Sequence, residues 1–243
     1  MEGFKLFDNY YGLIADDNDG TKVYGWENLS QKRNNVIENL SLLGGVYGYV
    51  DMGEITIQDF AGDNSMVVKS GEWFTTRAGA KIQINNKGSY RIAAWQKDNY
   101  IGTLSKGLVD SYGRLKYIDG CTDNVLSSPI KKGLPCMNAL YMPEGVNQTM
   151  HTHPSTRSGF IFIGGASCET PSNTFDLKTG QIFFLEKGTK HKFRSDHNKN
   201  IILKLVAYHP DSDFGATDED NPMLNKTIVN GISASKLDDI RTK

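Results

Sequence analysis

Short runs rich in apolar β-branched and aromatic residues recur along this chain, among them "EITIQDF" from Glu54, "KIQI" from Lys81, "YRIAAW" from Tyr90, "GFIFI" from Gly159, "QIFFL" from Gln181 and "IILKLVAY" from Ile201. Runs of this composition predict β-strands. Clusters such as "AGDNS" and "NNKGS" punctuate these runs with turn-forming residues, so the strands are expected to be antiparallel and joined tightly. Two stretches break the pattern. "NLSQKRNNVIENL" over 28–40 and "SASKLDDIRTK" over 233–243 space their apolar residues helically and predict two peripheral helices.

The pattern also repeats. "YVDMGEITI" with a turn at Gly53 precedes "KSGEWFTTRAGAKIQI", and "GFIFIGGASCE" with a turn at Gly165 precedes "KTGQIFFLEKGTKHKF". Gly71 is followed eight positions later by Gly79, and Gly180 eight positions later by Gly188. A shared interval inside a shared strand pattern predicts a tandem of two similar β units. The loop-rich stretch around "DGCTDNVLSSPIKKGLP" places the boundary near residue 120, giving units over 1–120 and 121–243.

Composition narrows the partners. The 243 residues carry 27 Lys and Arg against 28 Asp and Glu, with no basic run to follow a phosphate backbone, so nucleic acid is not an expected partner. The N-terminal stretch lacks a signal-peptide pattern, and no segment reaches the roughly 20 apolar residues of a bilayer span. A soluble, cytoplasmic protein is expected. Cys121, Cys136 and Cys168 are odd in number and lack CxxC spacing, which predicts reduced, structural thiols.

The chemistry concentrates in "GVNQTMHTHPSTRSG" from Gly145. Alternate strand residues share a face, so His151 and His153 leave the backbone on the same side and one ion can accept both. The competing reading of His-x-His is plain polarity on an exposed strand. His191, behind the strand "QIFFLE" and a Gly turn, is the candidate third ligand. Three neutral imidazoles with open positions suit Fe(II), Zn, Ni, Co or Cu, and leave the ion's charge uncompensated, which favours an anionic or chelating small molecule.

These spacings resemble the cupin motifs G-x5-H-x-H-x(3,4)-E-x6-G and G-x5-P-x-G-x2-H. Gly145, His151, His153 and Gly165 match the first; Gly180, Gly188 and His191 match the second. The resemblance covers the second half well and the first half as a degenerate copy. It implies an all-β fold of tandem double-stranded β-helix (jelly-roll) barrels with minor peripheral helices. There are departures. The motif's Glu, a usual fourth ligand, falls on Ser158, or on Arg157 at the shorter spacing, and its Pro is Glu186. What remains resembles the three-His cupins, whose members include dioxygenases for thiols, diketones and hydroxylated aromatic acids. In the first half Ile82 stands where His191 does, and no histidine precedes residue 151. The first barrel is therefore expected to be metal-free.

Other residues follow from the same reading. Arg157 either binds a substrate carboxylate through its planar fork or is an exposed charge at a barrel mouth. Ser158 either holds a metal-bound water or leaves room for substrate. Tyr208 and Tyr141 either donate to bound oxygen or belong to the core. His197 is expected in a solvated turn. His209 faces the lumen or joins a turn before Pro210. The acidic run Asp211, Asp213, Asp218, Glu219 and Asp220 lacks EF-hand spacing and is expected to be a solvated loop.

The expected function is a mononuclear metal-binding cupin, most concretely an Fe(II) dioxygenase. A metal-dependent sugar-acid isomerase or lyase is a second reading, weakened by the missing Glu. A non-catalytic bicupin that binds a small ligand or serves assembly is a third. Cupins commonly dimerise through sheet edges, so a homodimer is a further expectation.

Overall fold

The computed structural model describes residues 3–29, 37–38, 44–59, 65–85, 88–195 and 202–242. Nearly all regular structure is strand, as the β-branched and aromatic runs predict. A six-stranded antiparallel sheet runs in the order Gly102–Leu108, Glu72–Arg77, Gly44–Met52, Tyr90–Asp98, Thr21–Asn28, Tyr11–Asp16. It faces a four-stranded sheet ordered Ile37–Glu38, Lys81–Ile84, Glu54–Gln58, Ser65–Lys69. A seven-stranded sheet runs Phe4–Phe7, Ile182–Leu185, Arg157–Ile163, Leu203–His209, Cys136–Met142, Thr122–Ser127, Leu115–Lys116, and faces the three strands Thr174–Asp176, Ser167–Glu169 and Lys192–Arg194.

The two large sheets share one strand order. Glu72–Arg77, Gly44–Met52, Tyr90–Asp98, Thr21–Asn28 and Tyr11–Asp16 occupy the places that Ile182–Leu185, Arg157–Ile163, Leu203–His209, Cys136–Met142 and Thr122–Ser127 occupy in the other. The paired glycines play equivalent parts. Gly71 and Gly180 each open a large-sheet strand, Gly79 and Gly188 each precede a small-sheet strand, and all four have positive φ, which a side chain resists. The result is two jelly-roll barrels in tandem. The N-terminal strand Phe4–Phe7 pairs with Ile182–Leu185 and so completes the sheet of the second barrel.

Three apolar layers hold this together. The first barrel is filled by Ile55, Ile57, Ile82 and Ile84 with Phe74 and Trp26, the second by Phe183, Leu185, Leu203, Leu205 and Phe193. Between the barrels the large sheets meet back to back through Tyr47, Tyr49 and Trp95 on one side and Phe160, Phe184 and Tyr208 on the other. Burial of each such side chain contributes about 1.5–3 kcal/mol.

Both helix expectations need correction. The 28–40 stretch lies mostly outside the described residues; where described, Asn28 ends a strand, and Ile37–Glu38 pairs with Ile82 and Gln83. Over the described residues 233–242 the chain forms a 3-10 turn, Ala234–Lys236, after which Leu237 is extended and no α-helix follows. A short amphipathic stretch without a surface to pack on does not hold a helix. A helix forms instead at Pro222–Lys226, directly after the acidic run. Asn221 Oδ1 accepts from the backbone of Met223 and Leu224, and Pro222 occupies the first turn. Among the described residues no helix is long and apolar enough to cross a membrane.

Candidate metal centre

His151 enters the second barrel just before the strand Arg157–Ile163, and His191 stands at the start of Lys192–Arg194. The two form an isolated antiparallel bridge, with His151 N to His191 O at 2.9 Å and His191 N to His151 O at 3.0 Å. Gln148 ties the same two segments: its Oε1 accepts from Phe193 N at 3.1 Å, and its backbone N donates to Phe193 O at 3.0 Å. His153 is held from below, its carbonyl accepting from Gly188 N at 3.0 Å. The positive φ of Gly188 makes that turn possible.

The three imidazoles converge. Their ring centroids lie 4.5 Å apart for His151 and His191 and 5.1 Å for each pair with His153. One nitrogen from each falls within 4.8 Å of the others, a spread that one ion closes with small side-chain rotations. Two of the three tautomers are also set. His151 Nδ1 lies 2.7 Å from Thr149 O, and His191 Nδ1 lies 3.1 Å from Thr189 O. A carbonyl only accepts, so each Nδ1 carries the proton and each Nε2 keeps its lone pair for a metal. Burial, reinforced by the Arg157 cation and the neighbouring rings, pushes His153 down to about 3. Burial likewise lowers His191 to about 4. Both are neutral at physiological pH, as ligands must be. The donor set fits a divalent transition metal.

Strand parity decides which of the other expected residues join them. Arg157 pairs with Leu185, and both face the barrel interior. Its side chain is only 12% exposed, so it is no free charge at a barrel mouth. Nη1 donates to Ser155 Oγ and, at 2.9 Å, to Thr156 O, with the Asp211 carboxylate at 3.5 Å; Nε is buried without a partner. Burial lowers the Arg157 pKa and Asp211 partly restores it.

Ser158, one residue on, points the other way. Its hydroxyl accepts from Trp95 Nε1 at 2.8 Å and donates to Phe183 O at 2.7 Å, which places it in the layer between the barrels. Tyr208 belongs to that layer too, stacked on Trp95 with ring centroids 6.1 Å apart. Neither lines the metal cavity, because the side chains of consecutive strand residues alternate between faces. Tyr141 is similarly turned away and donates to Asp110 O at 2.7 Å. His197 lies outside the described residues.

His209 is the residue that sequence reasoning undervalued. It shares the interior face with Ala207, Leu205 and Arg157, and its Nε2 lies 2.7 Å from Asn138 Oδ1. Burial, with Arg157 and His153 nearby, drives its pKa well below the usual range. Asn138, Tyr117 and Gln148 complete the polar wall and carry no motif signal. Beside the cavity of about 60 Å³ at the histidines lies a second of about 400 Å³, which shares His153, Arg157 and His209 with it and is bordered by Pro154, Asp211 and Phe214. Asp211 therefore borders the site and accepts from Ser155 Oγ at 2.5 Å. Asp213 lines the same larger cavity, whereas Asp218 pairs with Lys131 and Asp220 accepts from Asn225.

No protein-family profile and no curated protein sequence matches this chain. Solved structures do. A cupin 2 conserved barrel domain protein from Leptotrichia buccalis superposes with a TM-score of 0.59 at 13% identity, over 87% of this chain and 91% of its own. The chain has the cupin fold. The protein Ylba from E. coli gives 0.58 at 14% identity, over 89% and 94%. An oxalate decarboxylase variant from Bacillus subtilis gives 0.57 at 12%, over 93% and 81%. Within the cupin fold, the His151, His153 and His191 cluster makes the second barrel the candidate metal-binding one. In the first, Ile82 is packed among apolar side chains.

Proposed function

We propose that this chain is a bicupin whose second barrel is a mononuclear Fe(II) dioxygenase for a small carboxylate. The observation that carries the reading is a convergent cluster of three imidazoles with no carboxylate among them, beside the buried guanidinium of Arg157. An ion held this way keeps its full charge and open positions, and Arg157 adds a second positive pole. Both favour an anionic substrate. Bound Fe(II) would supply the dioxygen chemistry; the chain supplies the template. His151, His153 and His191 orient the site, Arg157 anchors the substrate carboxylate, and the apolar wall of Phe183, Leu185 and Leu205 excludes water.

The test is oxygen uptake by the iron-reconstituted chain against a panel of thiols, diketones and hydroxylated aromatic acids. Uptake that requires Fe(II) and one of these anions supports the reading; turnover that proceeds equally without oxygen overturns it. The latter outcome would favour a lyase reading, which the fold shared with an oxalate decarboxylase, a protein named for acting on a carboxylate, also supports. Saturable ligand binding without turnover would favour a non-catalytic binding module.

A further inference from the structure

Two side chains on the cavity wall hold unmet hydrogen-bonding capacity of opposite kind. Ser158 pairs with Tyr208 across adjacent strands, so Arg157 and His209 flank that pair side by side and face the interior. Arg157 spends Nη1 on Ser155, Thr156 and Asp211, while its Nε–H is buried without a partner. The edge formed by Nε and Nη2 is the one that grips a carboxylate bidentately.

His209 offers the complement. The side-chain atom of Asn138 that meets the His209 ring is its amide oxygen, which accepts only. His209 Nε2–H therefore donates to Asn138 Oδ1 at 2.7 Å, and Nδ1 keeps its lone pair. The His209 ring makes no other hydrogen bond among the described residues. A free donor edge stands beside a free acceptor.

We propose that Arg157 and His209 select, independently of the metal, a small acid that carries a hydrogen-bond donor next to its carboxylate, such as a 2-hydroxy or 2-amino acid. This rests on the second barrel being the substrate site and narrows the substrate class beyond "anion". The carboxylate occupies the Nε edge of Arg157, and the neighbouring O–H or N–H donates to His209 Nδ1. An acid without that donor leaves His209 unsatisfied in a desolvated wall, the asymmetry that makes polar sites discriminate.

The experiment uses the full chain, metal-stripped and zinc-loaded, titrated with glycolate and with acetate, following the imidazole 15N resonances by NMR. Glycolate is expected to bind about tenfold tighter than acetate in both forms, the factor one satisfied hydrogen bond supplies. Only glycolate is expected to shift the His209 Nδ1 resonance. In His209→Phe the preference should vanish, and in Arg157→Met both acids should lose affinity. Equal affinities in the wild type, a preference that survives His209→Phe, or no binding to the stripped chain would each overturn the proposal. The wild-type resonance shift decides the matter even if a variant fails to fold. Oxygen uptake is read separately: discrimination without uptake leaves this inference standing and removes the dioxygenase, and the reverse removes only this inference.

Discussion

His151 and His191, distant in sequence, exchange both backbone hydrogen bonds as an isolated bridge, at 2.9 and 3.0 Å. Two ligands are thereby fixed relative to each other by main chain, before any ion arrives. The third, His153, is fixed to the same turn through Gly188. Such a site is pre-formed, and pre-formed sites lose little to ordering when they bind.

Metal content should follow from this. Elemental analysis of untagged protein is expected to give near one transition metal per chain, iron above all. His151→Ala and His191→Ala are each expected to lose it, because removing a ligand costs more than the about 10–100-fold that loss of a supporting hydrogen bond costs. The bridge uses backbone atoms, so both variants should stay folded. Metal retained in His191→Ala would refute the assigned ligand set.

Ser158 tests whether the missing motif Glu has been replaced functionally or structurally. Its hydroxyl satisfies Trp95 Nε1 and Phe183 O in the dry layer between barrels. Ser158→Ala should leave Trp95 Nε1 unmet and cost about 1–3 kcal/mol of stability, with metal content unchanged. Melting curves beside elemental analysis separate the outcomes; metal loss without destabilisation would place Ser158 at the centre after all.

How much of this was legible in the sequence depends on parity. The strands, the repeat and the glycine turns were readable because side-chain period and positive-φ turns leave local marks. His151, His153 and His191 were readable because their spacing is fixed by those turns. Which of Arg157 and Ser158, or of Tyr208 and His209, faces the lumen was not. A shift of one residue inverts a strand's faces, and both faces here are buried, one against a barrel interior and one against the neighbouring sheet, so alternation of polarity marks neither. Asn138 and Gln148 were invisible for the same reason. The helix at Pro222–Lys226 did carry a signal, Asn221 before Pro222, which the surrounding acidic run obscured.

Ile82, in the place that His191 takes in the second barrel, is 2% exposed and packs with Ile55, Ile57 and Ile84. Ile82→His should therefore create no second metal centre. It puts an unpartnered imidazole into an apolar layer and removes a well-packed side chain, with an expected loss of about 2–5 kcal/mol. Denaturant unfolding of the variant with and without added zinc measures this; a zinc-dependent gain in stability absent from wild type would show that the first barrel still holds latent ligands.

Acid should destabilise the metal-free chain in a defined window. His153 is depressed to about 3 and His191 to about 4, in both cases chiefly by burial, whereas an unfolded histidine titrates near 6.5. Between those values the unfolded chain binds more protons than the folded one, so stability rises with pH across the window and is lost on acidification from about 6.5 downward. By pH 5 each group accounts for about 2 kcal/mol. A metal binds only the folded, deprotonated cluster, so the loaded protein should resist until protons compete the ion away. Urea midpoints at pH 7 and pH 5 for the stripped chain, the zinc-loaded chain and stripped His153→Gln check this. The stripped wild type should fall most and the variant less, since one titrating group is gone; equal midpoints at the two pH values for the stripped wild type would mean that the cluster is hydrated and its histidines titrate normally.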